Sequence, residues 1–353
     1  MALKRRNKDE ENLDNLADEI VEESKKPIQE KTSIRFDKVI STGSTLLDLA
    51  ISGNRIRGGG LPGGILAEIF GGSGAGKSSL LASICASAQR QGGEVDIQDP
   101  ESRLDKEYIE IYGVSIEKAG FSYSRPDTVL QAFQHLNKWG KALDNEGINV
   151  AAIDAVAALS TDLEMGNEEG DKMGMKQAKE FSQNLRKSAR VLGQKNLITI
   201  FNNQVRQGSN GETTPGGKGL EFYGSLRIRV SKKSDIKETA KLKSGKEVEK
   251  IIGIQSECYV KKSTIDSPFR SCPLSIIFNY GIDDIRDQLQ WYKDMQKATT
   301  YECPDGKTYQ SMARAIDYVE EKNLQVALRE RTIALWQEIE DRFKQERKPR
   351  VFF

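Results

Sequence analysis

The stretch ILAEIFGGSGAGKSSL, residues 65–80, constrains the fold more than any other part of the sequence. It joins a continuously apolar run to a glycine-rich segment, and then to an amphipathic stretch that begins near Lys77. A strand that is apolar on both faces must be covered on both sides, which is typical of a parallel sheet between helix layers. The stretch therefore predicts an α/β fold in which a buried strand passes through a glycine-rich turn into a helix.

The same alternation continues over residues 34–284. After residue 203 the apolar runs follow one another without long helices, which predicts an antiparallel extension of the sheet. The lysine-rich insert at 232–250 is predicted to be an exposed hairpin or a mobile loop. The predicted strands are 65–70, 94–99, 149–154 and 197–203, and the predicted helices are 77–91, 127–145 and 175–193.

Two smaller segments flank this core. Residues 1–33 are rich in Lys and Glu and carry one apolar stripe at helical spacing, which predicts an oligomerisation helix followed by a linker. The stripe packs either on another subunit or on the chain's own core, and the pattern does not choose between them. Residues 285–353 combine a CPDGK turn with at least two helical segments, which predicts a small C-terminal α+β domain.

Composition excludes several classes of function. No apolar run approaches the ~18 residues of a membrane span, and the first residues lack the apolar region of a secretory signal. The four cysteines are scattered without CxxC spacing, which favours a reduced, cytoplasmic compartment. With His135 as the single histidine, a zinc site and histidine-based nucleophilic catalysis are not expected. A net charge of +1 argues against a uniformly basic nucleic-acid binder but allows local basic patches.

The glycine-rich segment matches GxxxxGK[ST] and lies between a predicted strand and a predicted helix, the context expected of a P-loop. Backbone amides at the helix N-terminus can bind phosphates, and Lys77 places a cation on the β and γ phosphates. The Ser78 hydroxyl can ligate Mg²⁺. The predicted nucleotide contacts here are Gly71, Gly72, Ser73, Gly74, Ala75, Gly76, Lys77, Ser78 and Ser79.

Two carboxylates follow neighbouring predicted strands. Asp154 ends the run 149–154 and is placed to hold Mg²⁺ at the carboxyl edge of a parallel sheet, although a helix-capping role is the alternative. Glu101 follows the run 94–99 and is the best candidate to orient an attacking water. Asp99, or a merely solvated glutamate, is the alternative. Tyr108 could stack on a base or simply pack.

The order of these motifs resembles the RecA recombinase family. The similarity runs from STGSTLLDLA through the P-loop, DPESRLD, VAAIDAVAAL, GDKMGM and FNNQVR to ETTPGGKGLEFY, and covers most of residues 38–284. The resemblance implies a DNA-dependent ATPase and recombinase that uses ATP and Mg²⁺. It also implies helical filaments of the protein on single-stranded DNA, ATP at the subunit interface, and strand exchange with a homologous duplex.

The resemblance assigns roles around the nucleotide. Glu101 matches the family's catalytic glutamate, and Asp154 matches the Walker B aspartate that holds the metal. Tyr108 matches the aromatic residue over the adenine, with Asp105 beside it. Gln204 matches the glutamine that senses the γ-phosphate.

The resemblance also identifies two DNA-binding loops, at about 164–176 and 205–219. In the first, Met173 matches the residue that wedges between stacked bases, and a core methionine is the alternative. Arg186, on the following predicted helix, matches a phosphate-binding arginine. Without the family, the second loop could equally be a linker. Its candidate phosphate contacts are Arg206, Thr213, Thr214, Gly216, Gly217 and Lys218.

Some positions depart from the family pattern. Lys262 matches one of two lysines that reach the neighbouring subunit's ATP, but the second falls on Thr264, and Lys261 is a possible substitute. Ala155 stands where a serine is usual. These departures keep two alternatives open: a mediator or regulatory paralogue that binds ATP and DNA without strand exchange, and a ring-forming helicase with a similar core.

Overall fold

A computed structural model describes residues 35–161, 173–194, 196–208, 211–216 and 218–344. The predicted N-terminal helix and most of the first predicted DNA loop lie outside the described residues. The strands are β1 (Arg35–Ile40), β2 (Leu61–Gly63), β3 (Ile65–Gly71), β4 (Val95–Gln98), β5 (Phe121–Ser124), β6 (Asn149–Ile153), β7 (Leu197–Gln204), β8 (Arg206–Gly208), β9 (Gly211–Thr213), β10 (Leu226–Lys241), β11 (Glu247–Ser263), β12 (Ser271–Ile277), β13 (Gly281–Ile282), β14 (Tyr301–Glu302) and β15 (Thr308–Tyr309). The α-helices are α1 (Thr45–Ser52), α2 (Lys77–Arg90), α3 (Lys106–Ile111), α4 (Val129–Ala142), α5 (Met173–Gln194), α6 (Lys218–Tyr223), α7 (Asp284–Met295), α8 (Met312–Glu321) and α9 (Gln325–Arg342).

A nine-stranded mixed sheet organises the chain, in the order β13-β12-β11-β10-β3-β7-β6-β4-β5. The strands from β10 to β5 in this order pair in parallel, whereas β11, β12 and β13 add antiparallel strands at the other side. The predicted α/β class, with a mostly parallel sheet and an antiparallel extension, is confirmed. The strand containing residues 65–71 lies inside the sheet, which explains why it is apolar on both faces.

Two apolar layers cover the two faces of the sheet. Side chains alternate between the layers along each strand: Ala67 joins the layer that packs on α2, while Leu66 joins the layer that packs on α4 and α5. The second layer centres on Phe133, Phe181 and Phe201, whose rings meet edge-on or tilted at centroid distances of 5.2–6.1 Å. Both layers hold the carboxyl ends of the parallel strands at one edge.

The C-terminal elements α7, α8, α9 and the β14–β15 hairpin share an apolar cluster of their own. Helix α9 also packs on α1, where Trp336 and Ile333 meet Leu49. The predicted division at residue 285 stays a prediction. Among the described residues, no helix is long and apolar enough to cross a membrane.

Candidate active site

A small cavity of about 160 Å³ opens at the carboxyl edge of the sheet, where β3, β4, β6 and β7 end. This edge is where open α/β sheets bind their ligands. Seven predicted site residues line the cavity, together with four neighbours to which the sequence assigned no role or only an alternative one. The predicted residues are Ser73, Gly74, Lys77, Ser78, Glu101, Asp154 and Gln204, and the others are Asp99, Arg103, Leu104 and Ala155.

The turn between β3 and α2 has a shape that requires glycine at two positions. A Cβ atom at Gly71 would overlap the backbone carbonyl of Val230 on the adjacent strand. Gly76 forms the N-cap of α2 in the left-handed region, with φ of 94°, where a Cβ would also collide with Ile276. The turn thus delivers the N-terminus of a fourteen-residue helix, with its free amides, to the cavity.

Lys77 lies in the first turn of α2 with its side chain largely buried. Its Nζ donates to the carbonyl oxygen of Gly72 at 2.8 Å. Burial lowers the pKa of Lys77, and the nearby carboxylates of Asp154 and Glu101 partly oppose this shift. A buried cation beside a helix N-terminus is a site prepared for an anion.

Asp154 follows β6 and is itself nearly buried. Its Oδ1 accepts a hydrogen bond from Asn202 Nδ2 at 2.7 Å. Burial raises the pKa of Asp154 to about 6, while a hydrogen bond from Ser78 and the charge of Lys77 work against that shift. A hydroxyl and a carboxylate are hard oxygen donors, and one carboxylate with few protein ligands is typical of Mg²⁺ held jointly by protein and phosphates. Ser78 and Asp154 therefore fit this metal.

Glu101 extends from the loop after β4 toward the end of β7. Its Oε1 accepts a hydrogen bond from Gln204 Nε2 at 3.3 Å, and its Oε2 lies 2.9 Å from Arg103. The Glu101 side chain is 17% exposed and Arg103 is 71% exposed, so this ion pair is screened by solvent. The contact joins the candidate water-orienting group to the candidate phosphate sensor.

The carboxylate of Asp99, the alternative to Glu101, already accepts hydrogen bonds from other residues of the chain. Its Oδ2 accepts hydrogen bonds from Tyr123 and from the amide of Leu104, both at 2.8 Å. Both bonds shape the loop that carries Glu101. Asp99 is fully buried, whereas Glu101 keeps solvent access, and this supports Glu101 as the group available to a water.

Seven predicted nucleotide contacts do not line the cavity: Asp105 and Tyr108, and in the P-loop segment Gly71, Gly72, Ala75, Gly76 and Ser79. Asp105 caps α3 by accepting from the Tyr108 amide at 2.7 Å. The Tyr108 hydroxyl lies 2.9 Å from Ser79 Oγ, and Tyr112 donates to the same Ser79 oxygen at 2.6 Å. This hydroxyl cluster fastens α3 to α2, and the assigned adenine contact stays a prediction.

The second predicted DNA loop leaves directly from β7. Asn203, next to Gln204, donates from Nδ2 to the carbonyl of Pro215 at 2.8 Å, so the far end of the loop is tied to the strand that starts it. Gly216 packs against the ring of Phe181. Between these points, β8 and β9 form a short antiparallel pair.

The remaining predicted DNA contacts are placed unevenly. Arg186 is exposed on α5. Met173, Arg206 and Lys218 each begin an element, and only their backbone is described. Thr213 ends β9, Thr214 is half-buried beside it, and Gly217 lies outside the described residues.

Lys262 lies at a distance from the cavity, near the end of β11. Its Nζ donates to the carbonyls of Glu221 at 2.6 Å and Phe222 at 3.1 Å, at the C-terminal turn of α6. Burial lowers the pKa of Lys262, and the charge of Arg227 lowers it further. Lys261 lies over the Phe70 ring at 5.7 Å, and Thr264 bonds back to Ser225. Within one chain, neither lysine reaches the cavity lining.

Four residues near the site were missed by sequence reasoning. Asn202 binds Asp154, and Asn203 binds both Pro215 and Glu68 Oε1, the latter at 3.0 Å. Arg227 completes this group through a 2.6 Å bond to Glu68 Oε2. The signal available was the pair NN at the end of an otherwise apolar strand, and a glutamate inside ILAEIF, because polar groups buried in a core need partners.

Comparison with known proteins agrees with this geometry. The family model for the RecA N-terminal domain matches residues 10–283. Protein RecA of Thermus thermophilus is 37% identical over 254 residues, covering 70% of this chain and 69% of that protein. Protein RecA of Ruminococcus albus is 34% identical over 264 residues, covering 73% of this chain and 61% of that protein. The chain therefore belongs to the RecA family.

Proposed function

We propose that this protein is a DNA-dependent ATPase and homologous recombinase that forms helical filaments on single-stranded DNA and exchanges strands with a homologous duplex. The observation that carries the proposal is the shared edge of the sheet. Lys77, Glu101, Asp154 and Gln204 line one cavity, and the residue after Gln204 begins the candidate DNA loop.

ATP would lie against the turn between β3 and α2, with Lys77 on its phosphates and with Ser78 and Asp154 holding Mg²⁺. When bound, this pair supplies the phosphoryl group and the cation that neutralises its charge. Glu101 would orient the attacking water and accept its proton at a carboxylate oxygen. The Lys77 ammonium now donates to a carbonyl, and the rotatable bonds of a lysine side chain would allow it to turn to a phosphate oxygen.

Gln204 supplies a physical basis for coupling ATP to DNA. Its Nε2 donates one N–H to Glu101 and has a second N–H for a phosphate that enters the cavity, so nucleotide binding would reorient this side chain at the start of the loop. The other end of the loop is held through Asn203 and Pro215. The loop is therefore held at both ends, and the hydrogen bonds of Gln204 at its start would change with nucleotide. Such a loop is suited to two conformations, one of which binds the DNA backbone.

The contact of Lys262 with α6 bears on filament formation. In one chain its Nζ satisfies two carbonyls at a helix end, so reaching a neighbour's nucleotide would require exchange of these bonds. We include a head-to-tail filament with ATP between subunits in the proposal, because a contact that does not close gives an open helix. A cytoplasmic location belongs to the same proposal, since all four cysteines are buried free thiols.

The test is ATP turnover with and without single-stranded DNA, with imaging of the same samples. Stimulated turnover together with extended filaments supports the recombinase, and a strand-exchange assay follows. Binding of ATP without stimulation by DNA would point instead to the regulatory paralogue. Closed rings in place of filaments would point to the helicase.

A further inference from the structure

Helix α3 and the residue that ends it present two tyrosines, Tyr108 and Tyr112, on one side. The two are spaced i, i+4, and their ring centroids lie 5.3 Å apart with the ring planes tilted by 53°. Both side chains are half-buried, whereas Ile109 lies buried in the core. Asp105 caps the start of this short helix, and Gly113, with φ of 87°, follows its end. Both ends of the segment that carries the pair are therefore fixed.

The hydroxyls of both tyrosines meet at one oxygen, Ser79 Oγ in the first turn of α2. Tyr112 donates to this oxygen at 2.6 Å, and the Tyr108 hydroxyl lies 2.9 Å from it. Ser79 is buried, and successive residues of a helix point about 100° apart, so its side chain turns away from the cavity that Ser78 lines. The Ser79 hydroxyl is therefore engaged by the two tyrosines, directly beside the predicted phosphate contacts.

Tyr112 also packs on the antiparallel extension of the sheet. Gly281 on β13 lies against its ring, where an added Cβ atom would be 3.5 Å from ring carbon Cδ1. Tyr112 is therefore in contact with α2, α3 and β13 at once, which restricts the directions that its hydroxyl can take. A phenol has a single proton to donate, and Tyr112 directs it to Ser79. Tyr112 is not among the residues that line the cavity, which leaves it without a direct role in hydrolysis.

We propose that Tyr112 is a positioning residue for the nucleotide base, because it fixes the Tyr108 ring as the surface on which the base stacks. This rests on the proposed function and on the predicted contact of Tyr108 with the adenine. Since Tyr112 donates to Ser79, the Ser79 proton can be donated in turn to the Tyr108 hydroxyl, and hydrogen bonds in such a chain strengthen one another. A ring that is already fixed loses less conformational freedom when the base stacks on it, which favours binding.

The test compares full-length Tyr112→Phe with the wild type, because this change removes the hydroxyl and keeps the ring. DNA-stimulated ATP turnover is measured over a range of ATP concentrations. We expect KM for ATP to rise by about 3–10-fold, the effect of one hydrogen bond of ordinary net strength, while kcat stays within about twofold of the wild type. Tyr301→Phe is the matched control. It also removes a phenol hydroxyl, one that donates to Gln290 at 3.2 Å in the C-terminal elements, and its KM should equal that of the wild type.

A second variant tests whether Tyr112 acts through Ser79. Ser79→Ala removes the shared oxygen and should itself raise KM, and adding Tyr112→Phe to it should raise KM by less than about twofold more. Effects of the two changes that multiply in full would overturn the proposal, because Tyr112 would then act by another route.

Two further outcomes would count against this role of Tyr112. A fall in kcat in step with the rise of KM would overturn it, because a loosened α2 would also displace Lys77 and Ser78. An unchanged KM for Tyr112→Phe, beside normal DNA-stimulated turnover of the wild type, rejects the positioning role by itself. If the wild type shows no DNA-stimulated turnover, it is the proposed function that fails.

Discussion

Two buried carboxylates at the same sheet, Glu68 and Asp154, differ in whether a cation of the protein bonds to them. Glu68 is fully buried, and each of its oxygens accepts a short bond, one from Asn203 and one from Arg227. Asp154 is nearly as buried and accepts hydrogen bonds from Asn202 and Ser78, but both donors are neutral. Lys77, the nearest cation on α2, donates to a backbone carbonyl instead. Burial raises the pKa of Asp154 to about 6.

The difference separates a structural acid from one kept for a ligand. Glu68 accepts hydrogen bonds from Asn203 and from the Arg227 guanidinium, so its charge is already compensated by the protein. Asp154 lies in an environment that makes the ionised form costly until a cation arrives, which is how a site gains affinity for a metal. Perturbed pKa values of this kind cluster at functional sites. The comparison predicts that changes around Asp154 and Glu101 affect activity, whereas changes around Glu68 affect folding.

The largest expected effect on activity is that of Glu101→Gln. We expect ATP turnover to fall by about 10²–10⁴-fold, because the amide cannot accept a proton from water. The free energy of unfolding should change by less than about 1 kcal/mol, since the lost ion pair with Arg103 is exposed. Steady-state turnover and urea unfolding measure the two quantities. Arg103→Gln is the control, with near-normal turnover. Turnover within tenfold of wild type for Glu101→Gln would shift the assignment to another group, Asp99 first.

The reciprocal change is Glu68→Met, which leaves the buried guanidinium of Arg227 without its main partner. We expect a loss of about 3–5 kcal/mol in the free energy of unfolding, the usual cost of an uncompensated buried charge. The double variant Glu68→Met/Arg227→Met removes both charges and should recover most of that loss. Urea unfolding provides the measurement. A loss below about 1 kcal/mol for the single variant would contradict this prediction. It would mean that Glu221, which already accepts from Arg227, compensates the guanidinium without Glu68.

A smaller effect is expected from Asn202→Leu, which removes the 2.7 Å donor from Asp154. A hydrogen bond to a charged group contributes about 1.5–3 kcal/mol, so the pKa of Asp154 should rise further, by about one unit or more. The acid limb of the pH profile of ATP turnover should therefore move to higher pH. At neutral pH the free energy of unfolding should fall by about 1.4 kcal/mol for each unit of that rise, because Asp154 is ionised in the unfolded chain. Removing Asn202 Oδ1, which is buried without a partner, should offset part of this loss.

Thr199→Val is the matched control for Asn202→Leu. It also removes a buried, unpartnered oxygen from β7, but Thr199 forms no hydrogen bond with Asp154. Its pH profile should match that of the wild type. A shifted profile in both variants, or in neither, would remove Asn202 from any positioning role.

The sequence predicted the residues that line the cavity better than the residues that hold those side chains in place. Lys77 and Glu101 follow apolar runs, and the carboxyl ends of parallel strands meet at one edge whatever their order, so the proximity of these two residues follows from periodicity and fold class. Gln204 was assigned only through the resemblance to the RecA family. Asn202 could not be assigned in this way. Its contact with Asp154 exists because β7 is the neighbour of β6, and strand order is not encoded in the local pattern.

The pair of Glu68 and Arg227 shows the same limit more sharply. The two residues are 159 positions apart, and the pairing depends on β10 returning to lie beside β3. For the charged insert at 232–250 the local pattern left two alternatives, an exposed hairpin or a mobile loop, and the structure shows the hairpin, formed by β10 and β11. Which residues of the two strands lie opposite each other depends on register, which only the folded strands set.

The smallest expected effect concerns His135, which bonds a third buried carboxylate, that of Asp96. Its Nε2 lies 2.8 Å from Asp96 Oδ1, and this bond raises the pKa of His135, while burial and Lys138 oppose the shift. Because the folded-state pKa lies above the unfolded value of about 6.5, the stabilisation is complete below that value and is lost as pH rises through the folded-state pKa. His135 is 34% exposed, so the change should stay below about 1 kcal/mol. Urea unfolding at about pH 6 and about pH 8 should show a drop for the wild type and a smaller one for His135→Gln. Equal drops would assign the pH dependence to other groups, because Asp96 would then be satisfied without a charged histidine.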